Sequence, residues 1–231
     1  MNKNLWTRYQ NEPPCPHCEH GRLYDFGKDQ SFETLDSRIE NEFQPAGVIS
    51  PSATFLGTGH IQCSNCKEIV IVSYKRIEDV RHTDEEGNEI NFIEPLFYYP
   101  APPIIKIPES CPKEILELLR ISFQLYWVDL GSCVNKVRIS IECLLTQQNV
   151  PKKGILHNRI EAFQKLNPIV GEMLLAIKWI GNSGSHHDAI TREAVLDGYE
   201  LLEFALENLY NDKEARLIAL SKKINNNKGH V

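Results

Sequence analysis

Two short cysteine pairs near the N-terminus place the strongest constraint on how this chain can fold. Each pair has two residues between its cysteines, in the segments Cys15-Pro-His-Cys18 and Cys63-Ser-Asn-Cys66. Two intervening residues let both sulfurs of a tight turn face one metal ion, and two such turns supply the four ligands of a tetrahedral Zn²⁺ site. The sequence therefore predicts a structural zinc ion bound by Cys15, Cys18, Cys63 and Cys66.

Two alternatives to this ligand set stay open. The 44 residues between the two pairs exceed the usual ribbon spacing, so His17 or His20 could replace one thiolate, or the cysteines could bind no metal. The seven cysteines are an odd number, and the first residues lack the apolar segment of a signal peptide. Both features favour thiols and metal binding over disulfides. The remaining cysteines, Cys111, Cys133 and Cys143, are predicted to be small buried residues.

The region around the knuckles has the residue pattern of short β-strands and turns. Strands are predicted over residues 21–26, 53–62, 68–80 and 91–99, with a hairpin turn over residues 84–88. The polar segment 30–43 fits either a short helix or a loop. A β module of this size has little core of its own, so zinc would supply much of its stability.

Beyond a Pro-rich linker, the apolar spacing changes from two to about 3.6 residues, which predicts helices. The predicted helical stretches are 115–126, 134–145, 155–166, 169–180, 191–210 and 212–224. Gly131 and Ser132 allow a break between the first two, and Thr191 is a good N-cap. We therefore predict an α+β protein, with a zinc-ribbon-like antiparallel β module over residues 1–107 and a bundle of five or six helices over residues 108–231.

Charge and hydropathy exclude two classes of protein. The net charge is −6 and the pI is about 5.8, which argues against a large non-specific DNA-binding surface but leaves room for a local basic pocket. No run approaches the roughly 18 apolar residues of a membrane span. The sequence predicts a soluble, cytoplasmic protein that does not enter a membrane.

The segment from Lys178 to Asp188 interrupts the helical pattern with two glycines, an Asn, two serines and two adjacent histidines. Gly181 and Gly184 predict a sharp turn there, with Trp179 anchored in the core. In one interpretation the polar residues only cap free backbone groups between two helices. In the other, the turn is a functional loop, because histidine titrates near neutrality and His186 and His187 stand side by side.

Several polar side chains of the neighbouring helices bear on this choice. Arg138 and Glu142 are four residues apart and so lie on one helix face, where a surface ion pair of little consequence is expected. Alternatively, Arg138 or Arg159 faces the glycine-rich turn and completes a polar pocket with His186.

These features occur together in one known family. A Cys-Pro-x-Cys ribbon, a Tyr-Pro linker, an Arg-x-x-x-Glu helix and a Gly-Asn-x-x-x-His turn follow in that order. The chain resembles the bacterial domain-of-unknown-function family numbered 4145, an outlying branch of the HEPN superfamily, most specifically over residues 156–160 and 179–186. The resemblance implies a HEPN-like helical bundle, a homodimer and a place in bacterial defence.

Active HEPN proteins are metal-independent endoribonucleases with an Arg-x(4–6)-His motif, in which His transfers protons and Arg stabilises charge on phosphate. His186 and Asn182 match this motif, but Gly181 stands where its Arg is expected, so Lys178, Arg138 or Arg159 would have to replace it. The predicted function is therefore a non-catalytic nucleic-acid- or protein-binding module of a defence or toxin–antitoxin type system. The alternative is an endoribonuclease that uses His186.

Overall fold

The structure, a computed structural model, describes residues 12–25, 29–42, 52–83, 89–183, 190–210 and 213–227. It confirms the predicted α+β class, because an antiparallel sheet precedes a helical region. Contacts divide the chain into two compact units, Met1–Ile104 with Arg120–Cys133 and Ile105–Leu119 with Val134–Val231. The domain boundary that the sequence places between residues 107 and 108 stays a prediction.

Five antiparallel strands form the sheet of the first unit. They are β1 (Leu23–Asp25), β2 (Gln30–Glu33), β3 (Ser52–Cys63), β4 (Ile69–Thr83) and β5 (Glu89–Tyr99). Their order is β1-β3-β4-β5, and β2 also pairs with β3. The segment 30–43, left open between helix and loop, contains β2 followed by a short helix, α1 (Leu35–Glu42). The predicted turn over residues 84–88 lies outside the described residues.

The central strand β3 delivers a cysteine to the buried side of this sheet. Its residues alternate between the two faces, with Ile61 and Cys63 buried and Thr58 and His60 exposed. This alternation is the period-two pattern of a strand with one face in the core. Because Cys63 is the last residue of β3, its sulfur lies in the core at the end of the strand.

Six helices follow residue 108 in the described chain, in agreement with the predicted five or six. They are α2 (Lys113–Val128), α3 (Leu130–Gln147), α4 (Leu156–Gln164), α5 (Pro168–Ser183), α6 (Arg192–Tyr210) and α7 (Lys213–Asn226). In the second unit α5 packs against both α4 and α6. Buried residues at helical spacing, such as Leu174 and Ile177 of α5, form its core. None of the described helices is long and apolar enough to cross a membrane.

The helix ends confirm one prediction and correct another. The hydroxyl of Thr191 accepts a hydrogen bond from the N–H of Ala194 at 3.2 Å, so Thr191 caps α6 as predicted. The break between α2 and α3 lies at Asp129, not at Gly131 and Ser132, which both belong to the first turn of α3. Asp129 ends one helix and begins the next, because its carboxylate accepts a hydrogen bond from the N–H of Ser132 at 3.1 Å.

Candidate metal centre and polar cluster of the helical region

Both cysteine pairs fold into the same tight turn. The N–H of Glu19 donates to the carbonyl of Cys15 at 3.0 Å, and the N–H of Lys67 donates to the carbonyl of Cys63 at 3.2 Å. Glu19 and Lys67 each follow the second cysteine of a pair, and both have positive φ, 55° and 65°. These two residues adopt the left-handed conformation, which turns the chain directly after each pair.

The sheet brings the two turns together. β1 follows the first turn and β3 leads into the second, with Leu23 opposite Cys63 in the antiparallel register. The N–H of Ser64 donates to the carbonyl of Arg22 at 2.9 Å, and the N–H of Arg22 donates to the Ser64 hydroxyl at 3.0 Å. Strand pairing thus closes the long gap that separates the two cysteine pairs in sequence.

The four cysteine sulfurs form a single cluster, in which each sulfur lies within 4.8 Å of the others. The distance from Cys15 Sγ to Cys66 Sγ is 3.7 Å, and that from Cys18 Sγ to Cys63 Sγ is 3.6 Å. A tetrahedral Zn²⁺ site with Zn–S bonds of about 2.3 Å needs sulfurs about 3.8 Å apart. The cluster could therefore hold a metal ion after small shifts of the sulfur positions.

Burial and hydrogen bonds from main-chain amides shift the pKa values of the sulfurs in opposite directions. The N–H of Gly21 donates to Cys18 Sγ at 3.4 Å and lowers the pKa of Cys18 to about 5. Burial raises the pKa of Cys15 to about 12. A Zn²⁺ ion bound by all four sulfurs would have to displace the proton of Cys15, whose pKa is raised.

Gly21 also leaves the space that one of the sulfurs occupies. A Cβ built on Gly21 would lie 2.2 Å from Cys63 Sγ and 2.9 Å from the backbone nitrogen of Asn65. That nitrogen donates in turn to Cys63 Sγ at 3.3 Å. Glycine at this position therefore lets one turn approach the sulfur of the other.

Among the described residues, the cluster contains the four cysteines and no other ligand-type side chain. His17 and His20 are exposed and do not belong to the group of mutually close ligand atoms. Four sulfurs complete a tetrahedral coordination shell and leave no position for water or a substrate. A metal ion held here would stabilise the fold and would not catalyse a reaction.

In the helical region, the structure corrects the predicted turn at Gly181. The helix α5 continues through Gly181 and Asn182 to Ser183. Residues 184–189, which include His186, lie outside the described residues, and so does the side chain of Asn182. Trp179, predicted to lie in the core, is 54% exposed.

The absent side chain of Gly181 makes room for Arg138 of α3. A Cβ on Gly181 would lie 2.7 Å from Arg138 Cδ and 3.2 Å from its Cγ. The Nε of Arg138 is buried and has no hydrogen-bond acceptor among the described residues. The side chain of Arg138 thus lies against the position at which the resemblance to HEPN proteins leads us to expect a motif arginine.

Lys178 lies one helical turn before Gly181 and is only 8% exposed. Its Nζ is 3.3 Å from the centre of the Trp179 ring, close enough for a cation–π interaction. The ring of His157 lies 5.9 Å from that of Trp179, and its Nε2 is 3.5 Å from the carboxylate of Glu161. These contacts join Lys178, Trp179 and His157 in one polar cluster on α4 and α5.

Arg159 does not join this cluster, although the sequence offered it as an alternative to Arg138. Its guanidinium donates to the carbonyls of Pro151 and Val150 and to the hydroxyl of Thr146, at 2.9 to 3.4 Å. Arg159 is buried and fixes the connection between α3 and α4. Within the described chain, the structure also records no ion pair between Arg138 and Glu142.

No functional role was predicted for Gly21, and His157 was placed only within the segment 156–160 that carries the family resemblance. Gly21 carries one usable signal, its position three residues after Cys18, where backbone must pass close to a metal site. For His157 the four-residue spacing to Glu161 predicts only a pair on one helix face. Its approach to Trp179 depends on how α4 packs against α5, which spacing does not reveal.

Comparison with known proteins adds one match to a family model, within the helical part of the chain. Searches of curated proteins and of solved structures found no match to the chain. The family model does not cover the cysteine cluster, and the HEPN relationship and the zinc ribbon stay predictions. Residues 120–227 match the model of a domain of unknown function, DUF4145, which supports that part of the predicted resemblance.

Proposed function

We propose that this protein is a zinc-stabilised, non-catalytic binding module of a bacterial defence or toxin–antitoxin type system, with a nucleic acid or a protein as its partner. The observation that carries the proposal is the group of four sulfurs within 4.8 Å of one another. A Zn²⁺ ion bound by four thiolates has no open position, so it supports a recognition surface and activates no water.

The helical region also favours binding over catalysis. The position of the motif arginine is occupied by Gly181, and Lys178 is directed over the ring of Trp179. A lysine is a poorer planar clamp for phosphate than an arginine. The net charge of −6 argues against a long basic groove for non-specific nucleic-acid binding.

Metal analysis tests the zinc part of the proposal. Protein purified without added zinc should contain about one equivalent per chain. A Cys15→Ser/Cys66→Ser double variant should lose that zinc, whereas Cys143→Ser, in the helical region, should retain it. Wild-type protein that carries no metal and has four rapidly alkylated thiols would refute the site.

Co-purification tests the binding part. A stable partner should accompany wild-type protein and His186→Ala equally, and neither protein should cut RNA. Loss of the partner in His186→Ala, together with RNA cleavage by the wild type, would contradict a non-catalytic role.

One observation favours the second candidate function, a metal-independent endoribonuclease. Arg138 Cδ lies 2.7 Å from the Cβ position of Gly181, so a guanidinium from α3 could serve where the motif arginine is missing. In this mechanism His186 would act as the acid and base, and Asn182 would orient it. Arg138, or Lys178, would stabilise the charge that develops on phosphate.

An RNA cleavage assay separates the two candidates. Wild-type protein, His186→Ala and the exposed-histidine control His60→Ala are compared on structured and single-stranded RNA in the presence of chelator. Cleavage that survives chelation, persists in the control and disappears in His186→Ala would establish the enzyme. Equal and negligible cleavage by all three proteins would exclude it.

The predicted homodimer belongs to the same proposal, since two-fold dimers are the commonest oligomers and HEPN bundles usually pair their motif helices. Light scattering at micromolar concentration should give twice the mass of the 26.5 kDa chain. A monomer mass would contradict this assembly. The cytoplasmic location also stays a prediction.

A further inference from the structure

The C-terminal helix α7 carries an apolar stripe that the described part of the chain does not cover. Its side chains are described from residue 217 onward, and those of residues 217–227 are all exposed. Leu217, Leu220 and Ile224 recur at spacings of three and four residues, so they lie on one face of the helix, with exposed fractions of 49%, 44% and 36%. Contiguous exposed apolar side chains of this kind mark an interaction surface.

The length of α7 makes such an interaction necessary. The helix has 14 residues, and an isolated helix of this length is only marginally stable in water, because most helix stability in proteins comes from the packing of an apolar face. The fold of one chain does not supply that packing, since the described side chains of α7 are exposed. The apolar stripe therefore needs the surface of a second molecule.

The preceding helix, α6, has a surface that matches α7 in length. Glu193, Asp197, Glu200, Phe204 and Glu207 are exposed and follow one another at spacings of four, three, four and three residues, so they form one line along the helix. Phe204, at 45% exposure, is the apolar side chain in this line. The line is about 21 Å long at 1.5 Å per residue, which is also the length of α7.

The two helices carry opposite charges. α7 has four basic residues and one acidic residue, a net charge of +3, whereas α6 has five acidic residues and one basic residue, a net charge of −4. Complementary charges orient two surfaces, and like charges placed opposite each other disfavour a wrong partner. The charges therefore favour the packing of α7 on α6 over the packing of two identical helices.

We propose that α7 docks on a second copy of this chain, along the acidic face of α6, with Leu217, Leu220 and Ile224 packed around Phe204. In a two-fold dimer the same contact occurs twice, so each copy gives its α7 and receives that of its partner, and the assembly closes. This interface differs from the pairing of motif helices in the proposed function. It requires neither zinc nor RNA cleavage.

Charge reversal followed by mixing tests the exchange in the full chain. One variant, Lys222→Glu/Lys223→Glu, makes α7 acidic, and the other, Glu200→Lys/Glu207→Lys, reverses the charge on both sides of Phe204. Each variant alone places like charges across both contacts, so its dimer should dissociate on the order of tenfold or more readily than the wild-type dimer in analytical ultracentrifugation. An equimolar mixture restores opposite charges in both contacts and should dimerise as the wild type does.

The matched control is Glu117→Lys/Glu172→Lys, which reverses two exposed acidic residues outside α6 and α7 and should leave the dimer unchanged. Variants that each dimerise like the wild type would overturn the proposal and leave the motif helices as the interface. A mixture that stays monomeric would also overturn it, and a monomeric wild type would overturn both interfaces.

A substitution without a charge change gives an independent measurement. Phe204→Ser removes the apolar side chain on which the stripe of α7 packs, and because Phe204 is exposed in the single chain, the monomer should fold normally. Its dimer should also dissociate on the order of tenfold more readily, since the truncation of a central apolar contact commonly costs that factor. Wild-type dimerisation of Phe204→Ser would contradict the docking of α7 on this face.

Discussion

Replacing Gly21 by alanine tests the geometry of the cysteine cluster with a single methyl group. The new Cβ would lie 2.2 Å from Cys63 Sγ, whereas ordinary contact begins at 3.4 Å. Either the sulfur or the backbone must therefore move by at least 1.2 Å. The backbone nitrogen of Asn65, 2.9 Å away, also resists the methyl group and donates to the same sulfur.

The size of the effect follows from the narrow range of metal–ligand distances that a metal site tolerates. Metal–ligand distances vary by about 0.2 Å, so a displacement above 1 Å removes Cys63 from its coordination position or strains the turn that carries it. Forcing an extra methyl group into a packed site costs about 1–3 kcal/mol. If that strain falls on the metal-bound state, the zinc dissociation constant rises about 5- to 150-fold.

The assay is competition for zinc against a chromogenic chelator at neutral pH. The matched control is Gly59→Ala in β3, whose Cβ would meet its nearest neighbour, Asp29 Cβ, at 3.3 Å. Gly59→Ala should bind zinc within about twofold of the wild type, since a contact of this length needs shifts of only tenths of an ångström. Wild-type zinc affinity in Gly21→Ala would refute the reasoning and the cluster geometry behind it.

Two further predictions concern stability. Arg159→Met should lower the free energy of unfolding by about 2–4 kcal/mol in denaturant titrations, because it leaves the carbonyls of Pro151 and Val150 without their donor; the exposed Arg120→Met should have little effect, and equal losses in both would contradict this role. Hydrogen bonds from Ser132 lower the pKa of Asp129, so its ionised form stabilises the fold above the ordinary pKa of about 4, and this contribution disappears as the pH falls through the lowered folded-state pKa. Asp129→Asn should therefore be less stable than the wild type at pH 6 and no less stable in acid, and a pH-independent difference between the two unfolding curves would contradict the assignment.

Much of the fold could be predicted because its signals are local. The alternating pattern located β3 and β4, and the apolar spacing of about 3.6 residues located the helices. The short strand β2 was missed because its four residues, Gln-Ser-Phe-Glu, have no apolar run and are a strand only through pairing with β3. The helix break at Asp129 was also missed. An aspartate that caps a helix needs no glycine beside it, so the sequence shows no glycine at the break.

The cysteine cluster could be predicted as a set of residues but not as a geometry. Cys-x-x-Cys spacing identifies two pairs wherever they stand in the chain. That they meet depends on the register between β1 and β3, which places Leu23 opposite Cys63. Spacing also gave no reason to exclude His17 and His20, and only the folded turns place those rings outside the cluster.

Gly181 was wrongly interpreted as the site of a turn, and Gly21 was overlooked. Neither has a φ in the left-handed region, so neither is required for a turn. Each instead lacks a Cβ where a side chain of another segment passes, Cys63 in one case and Arg138 in the other. A glycine inside a helix costs about 1 kcal/mol relative to alanine, so the close approach of Arg138 offers a physical reason for Gly181 that no turn provides. The same reasoning bears on the arginine that the resemblance to HEPN proteins predicts at position 181, because a side chain at that position and the side chain of Arg138 would compete for one space.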